Sequence, residues 1–298
     1  MISDITLAVP AYFHPRSHPA DWARLAALGP TAAAGSGTGA EPPPTAAAGG
    51  SAAWPGPAPA ASRLAALAGG LAASQLSGLI NGLAPGAGPG QAFPLSSAPD
   101  SYLGFAVMNP DSGPGTDPDP AYHPVISAVT STGGRVTGYV DTAYARRPSG
   151  AVLRDLAAYR AWYGLSGVFF DQVSSGAHHL AHYRRLVAGA RRIGFDFAVL
   201  NPGVTPSPGF ADLADVLVTF EGEWNAYGDY LVAEWMRGYP RERFCHLIHS
   251  GGPTALADAR ARAAANHVGV LYATELTGSN PWAALCSELL PGVLSLPG

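Results

Sequence analysis

The stretch GVFFDQVSS, residues 167–175, decides how the rest of the chain is read. An apolar run fit for a buried strand ends on a carboxylate, Asp171, followed by Gln172 and a polar loop. A single acid in that place is most often a helix cap or one half of an ion pair. It becomes informative when the arrangement recurs. Seven further runs share the grammar: ITLAVPAY (5–12), YLGFAVMNP (102–110), RVTGYVDT (135–142), FDFAVLNPG (195–203), DVLVTFEGEW (215–224), FCHLIHSGG (244–252) and GVLYATEL (269–276). Amphipathic stretches such as 149–163, 178–194 and 257–267 fall between them. Continuously apolar strands alternating with helices imply a parallel sheet covered on both faces.

From the third run onward the starts lie about 20 to 35 residues apart, the length of one β/α unit. The long gap between the first two runs is an Ala/Gly/Pro-rich, nearly uncharged stretch over 31–98. Such composition buries too little apolar surface to offset the entropy of ordering, so a flexible insertion in the first β/α unit is expected. Within it, SRLAALAGGLAASQLSGLINGL (62–83) spaces its leucines as an apolar helix does, interrupted by four glycines. That piece is a candidate for self-association. Removing the insertion leaves eight β/α units in about 230 residues, which predicts one (β/α)8 (TIM) barrel domain over 1–298. Neither GxGxxG after the first strand nor GxxxxGK[ST] is present, against a nucleotide-binding sheet.

Composition narrows the function. The formal charge is −4 and the pI about 6.1, with no lysine among the 17 basic residues, so nucleic acid is not an expected partner. No apolar run reaches the length of a membrane span. The start, MISDITLAVPAYFHP, lacks the basic and apolar regions of a signal peptide, so the chain as given reads as cytoplasmic. Cys245, in a predicted strand, and Cys286, in a predicted helix, match neither a metal spacing nor a disulfide framework and read as small buried side chains. The DSGPG at 111–115 reads as a turn.

In a (β/α)8 barrel the reacting groups stand at the C-terminal ends of the strands. Here those ends carry Tyr12, Asn109, Tyr139, Asp171 with Gln172, Asn201, Glu221 with Glu223 and Trp224, His249, and Glu275. Packing alone does not deliver acids, amides and aromatics to one rim so often. No GxSxG elbow exists. Strand-end spacing of His14, Asp111, His249 and Glu275 gives a metal site little support. Two carboxylates with aromatic platforms and amides suit glycoside hydrolysis, one carboxyl as proton donor and the other as nucleophile or water activator. The ends of strands 4 and 6 bring Asp171 and Glu221 face to face across a sugar. No metal or organic cofactor is required.

The ordered series VPAYFHP (9–15) with Trp22, FAVMNPDSGPG (105–115), GYVDTAYARR (138–147), GVFFDQV (167–173), VLNPG (199–203), VTFE (218–221) and ATEL (273–276) resembles the spherulin-4 (spherulation-specific family 4) proteins. The resemblance spans the chain outside about 31–98. It implies a (β/α)8 glycoside hydrolase acting on α-1,4-linked galactosamine or N-acetylgalactosamine in microbial exopolysaccharide. Relatives of that kind are often extracellular. It matches the family's acids to Asp171 and Glu221, with Glu221 as general acid/base and Asp171 as nucleophile or stabiliser, or the reverse. Tyr12, Tyr139 and Trp224 would stack on sugar rings, while Asn109, Gln172, Asn201 and His249 would bind hydroxyl or acetamido groups. The acidic rim suits a cationic, partly deacetylated polymer.

One departure bears on activity. Characterised relatives carry Asp-Glu after the fourth strand, and this chain has Asp171-Gln172. An amide positions a substrate or water but does not exchange a proton as Glu does. Glu223 stands near enough in sequence to compensate if its strand continues. Two other readings follow: a non-catalytic carbohydrate-binding barrel, favoured by Gln172, and a structural, differentiation-associated surface protein, favoured by the 31–98 insertion.

Overall fold

Eight short strands, each too apolar to tolerate a solvated face, bury both faces by closing on one another. In the computed structural model, which describes residues 5–29 and 101–290, they form a closed parallel barrel in sequence order, β1 to β8. The strands are β1 Ile5–Ala11, β2 Ser101–Met108, β3 Arg135–Asp141, β4 Gly167–Asp171, β5 Phe197–Leu200, β6 Val216–Glu223, β7 Phe244–His249 and β8 Val270–Ala273. The eight-strand reading is borne out. The stretch 31–98, with its candidate helix at 62–83, lies outside the described residues. Among the described residues no helix is long and apolar enough to cross a membrane.

The helical layer is less regular than the strands. Helices α1 Pro19–Ala27, α2 Tyr122–Ser131, α3 Ser149–Tyr163, α4 Leu180–Ile193 and α6 Ala255–Arg262 follow β1, β2, β3, β4 and β7, while α5 Trp224–Tyr227 after β6 is a single turn. Only a short 3-10 turn, Pro208–Phe210, separates β5 from β6. No α-helix follows β8 among the described residues. The expectation that Cys286 sits in a helix is therefore corrected: it is extended, at the start of the 3-10 turn Ser287–Leu289. The reason is that side chains take up the backbone donors there. Asp21 accepts the N–H of Leu285, the Tyr272 hydroxyl that of Cys286, and Glu275 that of Ser287. With those N–H groups engaged, an i→i−4 ladder has no donors. Both cysteines are free and buried.

This final segment fills the place of the eighth helix. Arg24 of α1 donates to the Leu289 carbonyl (2.7 Å), and the Glu288 carboxylate caps the first turn of α6 through the N–H groups of Leu256 and Ala257. At the N-terminal mouth Phe105 and Phe197 meet across the barrel with centroids 5.5 Å apart. The Arg135 guanidinium covers Phe197 and pairs with Asp196 at 2.9 Å. That end is a plug, so chemistry is confined to the opposite rim.

Gly138 of β3 is the point at which α3 docks. Tyr159 of α3 is fully buried, and a Cβ on Gly138 would stand 2.7 Å from its ring. Gly138→Ala is expected to lower stability by about 1–3 kcal/mol through overpacking. Gly150→Ala, in the first turn of the same helix, would bring its new methyl only into ordinary contact with the Arg154 side chain at 3.9 Å and should leave stability equal or higher. Urea unfolding midpoints of the two variants check the pair.

Candidate functional site

Asn201 stands where β5 ends and is 3% exposed. Its backbone extends the β4–β5 ladder, donating to the Phe170 carbonyl (2.8 Å) and accepting from Val173 (3.0 Å), so its side chain is held on the axis between β4 and β6. The side-chain nitrogen donates one proton to Asp171 Oδ1 at 2.7 Å and the other to Glu221 Oε2 at 2.5 Å. Its oxygen accepts the N–H of Gly203 at 3.0 Å, which fixes which end of the amide faces the acids. Gly203 has φ of +68° and returns its carbonyl to the N–H of Glu221 at 2.9 Å. Since both acids bind one nitrogen, at 2.7 and 2.5 Å, those two oxygens lie no more than about 5.2 Å apart.

Glu221 reaches that position through a bulge. The register of β6 against β7 runs Val218 to Cys245 and then Phe220 to His246, leaving Thr219 as the extra residue. Thr219 and Phe220 both turn to the outer layer. Thr219 meets His246 Nε2 at 3.1 Å, and Phe220 packs edge-on to the same ring and against Tyr227. The parity of the strand thus shifts by one, and Glu221 turns inward toward Asn201. His246 is fully buried, and burial pushes its pKa down to about 3, so it is a neutral hydrogen-bonding member of this wall.

The two acids share a site but not an environment. Burial raises the pKa of both. For Glu221 the neighbouring Asp171 charge adds to burial and takes it to about 7, against weaker hydrogen bonds from Asn201 and the Trp282 indole. Asp171 is raised by burial, but three donors oppose the rise: the backbone N–H of Gln172, the Tyr139 hydroxyl and Asn201. The arrangement favours one shared negative charge resting on Asp171 and a proton resting on Glu221. Tyr139 and Tyr12 stand behind Asp171 as an edge-to-face pair, 5.5 Å between centroids. Burial and then the adjacent carboxylates hold both phenols protonated.

An open cleft of about 340 Å³ lies over this cluster, lined by Tyr144, Asp171, Gln172, Asn201, Gly203 and Glu221 among others. Of the eleven residues named from sequence, the structure gathers Asp171, Gln172, Asn201 and Glu221 in the cleft, with Tyr12 and Tyr139 against them. Gln172 holds a left-handed φ of +49°, which turns its N–H back onto Asp171. The other five lie elsewhere. Asn109 accepts the N–H of Gly113 and shapes its own loop, in which the chain bends over 111–114. Glu223 is exposed and opposite His249 in register. Trp224 lies beneath the guanidinium of Arg262 (4.9 Å). His249 packs edge-on to Trp282 and meets the Ser250 hydroxyl, and Glu275 ties down Ser287.

Two residues of the site were not among those named from sequence. Trp282 comes from the loop after β8, is nearly buried, and reaches Glu221 with its indole N–H. Its only sequence signal is an aromatic directly after the Asn280–Pro281 turn. Tyr144 stands 50% exposed at the edge of the cleft. It is the middle of three consecutive left-handed residues, Ala143, Tyr144 and Ala145. Asp141 accepts the N–H of Ala143 at 2.6 Å, and the Gln172 carbonyl accepts that of Tyr144 at 2.7 Å. The Asp141–Ala143 pair is the sequence signal for this turn, since an aspartate accepting the N–H two residues on is a turn former. Among the described residues no three His, Cys, Asp or Glu side chains come together in a metal-binding group.

The family model of spherulation-specific family 4 matches residues 95–293. Spherulin-4 of Physarum polycephalum is 30% identical over 158 residues, a match covering 49% of this chain and 47% of that protein. The chain thus spans about half the length of this curated relative. Aspergillus clavatus Sph3, whose crystal structure is a complex with GalNAc, superposes with a TM-score of 0.55 at 27% identity, over 62% of this chain and 82% of its own. A family match across most of the chain, laid over a closed barrel with acids at its rim, means that this protein belongs to spherulation-specific family 4.

Proposed function

We propose that the chain is a glycoside hydrolase that cleaves α-1,4-linked galactosamine or N-acetylgalactosamine in an exopolysaccharide. The observation that carries this reading is the pair Asp171 and Glu221, held by one amide nitrogen and pushed by their surroundings into different protonation states. A similar barrel, Sph3, was solved with GalNAc bound, which supports a hexosamine as the ligand. Glu221, protonated near neutrality, protonates the leaving oxygen. Asp171, ionised and fed by three donors, attacks or stabilises the anomeric carbon. Their short separation suits the two-step, retaining route, in which Glu221 then deprotonates the incoming water. Tyr144 offers a ring face at the cleft edge, and Gln172 offers an amide to hydroxyl or acetamido groups.

A second reading, a sugar-binding barrel without turnover, is favoured by Gln172 where relatives carry an acid. Reducing-end release from partially deacetylated α-1,4-galactosaminogalactan separates the two. The wild type is expected to release ends, and Asp171→Asn and Glu221→Gln each to lose at least about 100-fold in kcat/KM. Glycan binding without release by the wild type would establish the binder instead. Proton NMR of the first-formed product should show retention; inversion would remove Asp171 as nucleophile.

Activity should also fall as pH rises through about 7, where Glu221 loses its proton. The same shift sets a stability trend. The folded state holds this proton above the pH at which the unfolded chain releases it, so the contribution is present at low pH and is lost as pH rises through about 7. Glu221→Gln is therefore expected to raise Tm over the wild type at pH 8 and to change it little at pH 5. A gain of equal size at both pH values in a thermal melt would contradict the buried-acid account.

A further inference from the structure

Charge is not spread evenly over the barrel wall. The chain carries 21 acids against 17 basic residues, yet α4 holds no Asp or Glu along Leu180–Ile193. Its buried face is Tyr183, Leu186, Val187, Gly189 and Ala190, and its solvent face is Arg184, Arg185, Arg191 and Arg192, with only Ala181 and Ala188 between them. Arg191 is engaged by Asp215 at 2.6 Å. The other three arginines have no side-chain hydrogen bond or ion pair among the described residues. The neighbouring α3 repeats the pattern. Its one acid, Asp155, is taken by Arg147 at 2.5 Å, and Arg154 stands exposed without such a partner among the described residues. The two helices meet where Leu153 fills the space beside Gly189, and the Arg160 guanidinium lies over Gly194 just past the end of α4, so their arginines share one surface.

At its upper end this ridge runs into His178 and His179, whose rings lie 4.1 Å apart on the turn that opens α4. The Tyr183 hydroxyl accepts the Ser174 N–H at 2.8 Å and so ties that end to the loop carrying Gln172. At 1.5 Å per residue the line from His178 to Arg192 measures about 20 Å. Burial, then the charges of Arg185 and His179, hold the His182 imidazole below its ordinary pKa, and its buried Nε2 has no hydrogen-bond partner among the described residues. Positive charge is therefore uncompensated along the line. A row of guanidinium forks one helix wide fits a flexible chain that presents carboxylates or phosphates at intervals. No large apolar or aromatic side chain is fully exposed on α3 or α4, which removes the anchor needed in a membrane and the rings on which nucleic-acid bases stack. We propose that the α3/α4 ridge docks an acidic polysaccharide, a linear glycan with an anionic group on its repeating units, apart from the sugar taken by the cleft. A cationic galactosamine chain is repelled there, so the two surfaces take different polymers, and the protein is held on one while its cleft meets the other. The assignment stands whether or not the cleft turns its ligand over.

The test is equilibrium binding of the full chain by calorimetry, with polygalacturonate as the acidic probe and dextran as the neutral one. The wild type is expected to bind polygalacturonate and not dextran, and to release it in 1 M salt, where screening reaches about 3 Å. Arg185→Gln combined with Arg192→Gln should weaken binding about fivefold, the scale of two exposed ion pairs. Arg16→Gln combined with Arg237→Gln changes the net charge equally but lies off the ridge, and should leave the affinity unchanged. Arg185 and Arg192 are exposed, so the ridge variant should melt as the wild type does and its weaker binding reads as lost charge. No binding of polygalacturonate, or equal weakening by the two pairs of substitutions, would overturn the assignment. So would tighter binding to duplex DNA, or to vesicles of phosphatidylcholine and phosphatidylserine in equal parts, lost with the same two arginines. Reducing-end release by the ridge variant should equal that of the wild type, which separates a failure of docking from a failure of hydrolysis.

Discussion

The site depends on a single amide. Asn201 spends both of its protons on two carboxylates that would otherwise repel each other in a buried place, and its oxygen is held by the N–H of Gly203. Two like charges so close in a low-dielectric setting cannot both persist, so one proton must stay in the pair. Where it stays is decided by the surroundings: Asp171 collects donors from Tyr139 and the backbone of Gln172, and Glu221 has the indole of Trp282. Asn201 thus holds the two acids together, and the donors gathered around Asp171 leave the proton on Glu221.

Everything around Asn201 keeps that geometry in place. The closed barrel brings the ends of β4, β5 and β6 side by side, with the asparagine strand in the middle. The bulge at Thr219 turns Glu221 inward, and it is anchored by His246 and Tyr227 in a fully buried polar wall. The segment after β8, tied to α1 and α6 by side-chain bonds in place of a helix, delivers Trp282 to the same carboxylate. Strand ends hold the acids, while Tyr144 and Val204, which face solvent at the cleft edge, stand between strands.

Strand number and type were legible because burial on both faces demands unbroken apolar runs, and the turn residues punctuate them; GVFFD and VTFE mark strand ends by the abrupt arrival of an acid. The helical layer was legible only where amphipathic spacing persists. It misled at Cys286, whose local sequence permits a helix that long-range side-chain acceptors override.

By itself, then, the sequence determined a barrel of eight parallel strands and a rim bearing Asp171, Asn201 and Glu221, because strand periodicity and strand ends are local properties. Which rim residues meet was decided by the tertiary structure alone. A bulge changes the facing of every residue beyond it, and no local pattern announces the one at Thr219. Glu223 and Trp224 follow Glu221 in sequence yet lie outside the cleft, whereas Trp282, sixty-one positions on, touches the acid. Proximity in a closed barrel is set by strand order and loop return, and the protonation of Glu221 follows from burial and a neighbouring charge that exist only once the chain has folded.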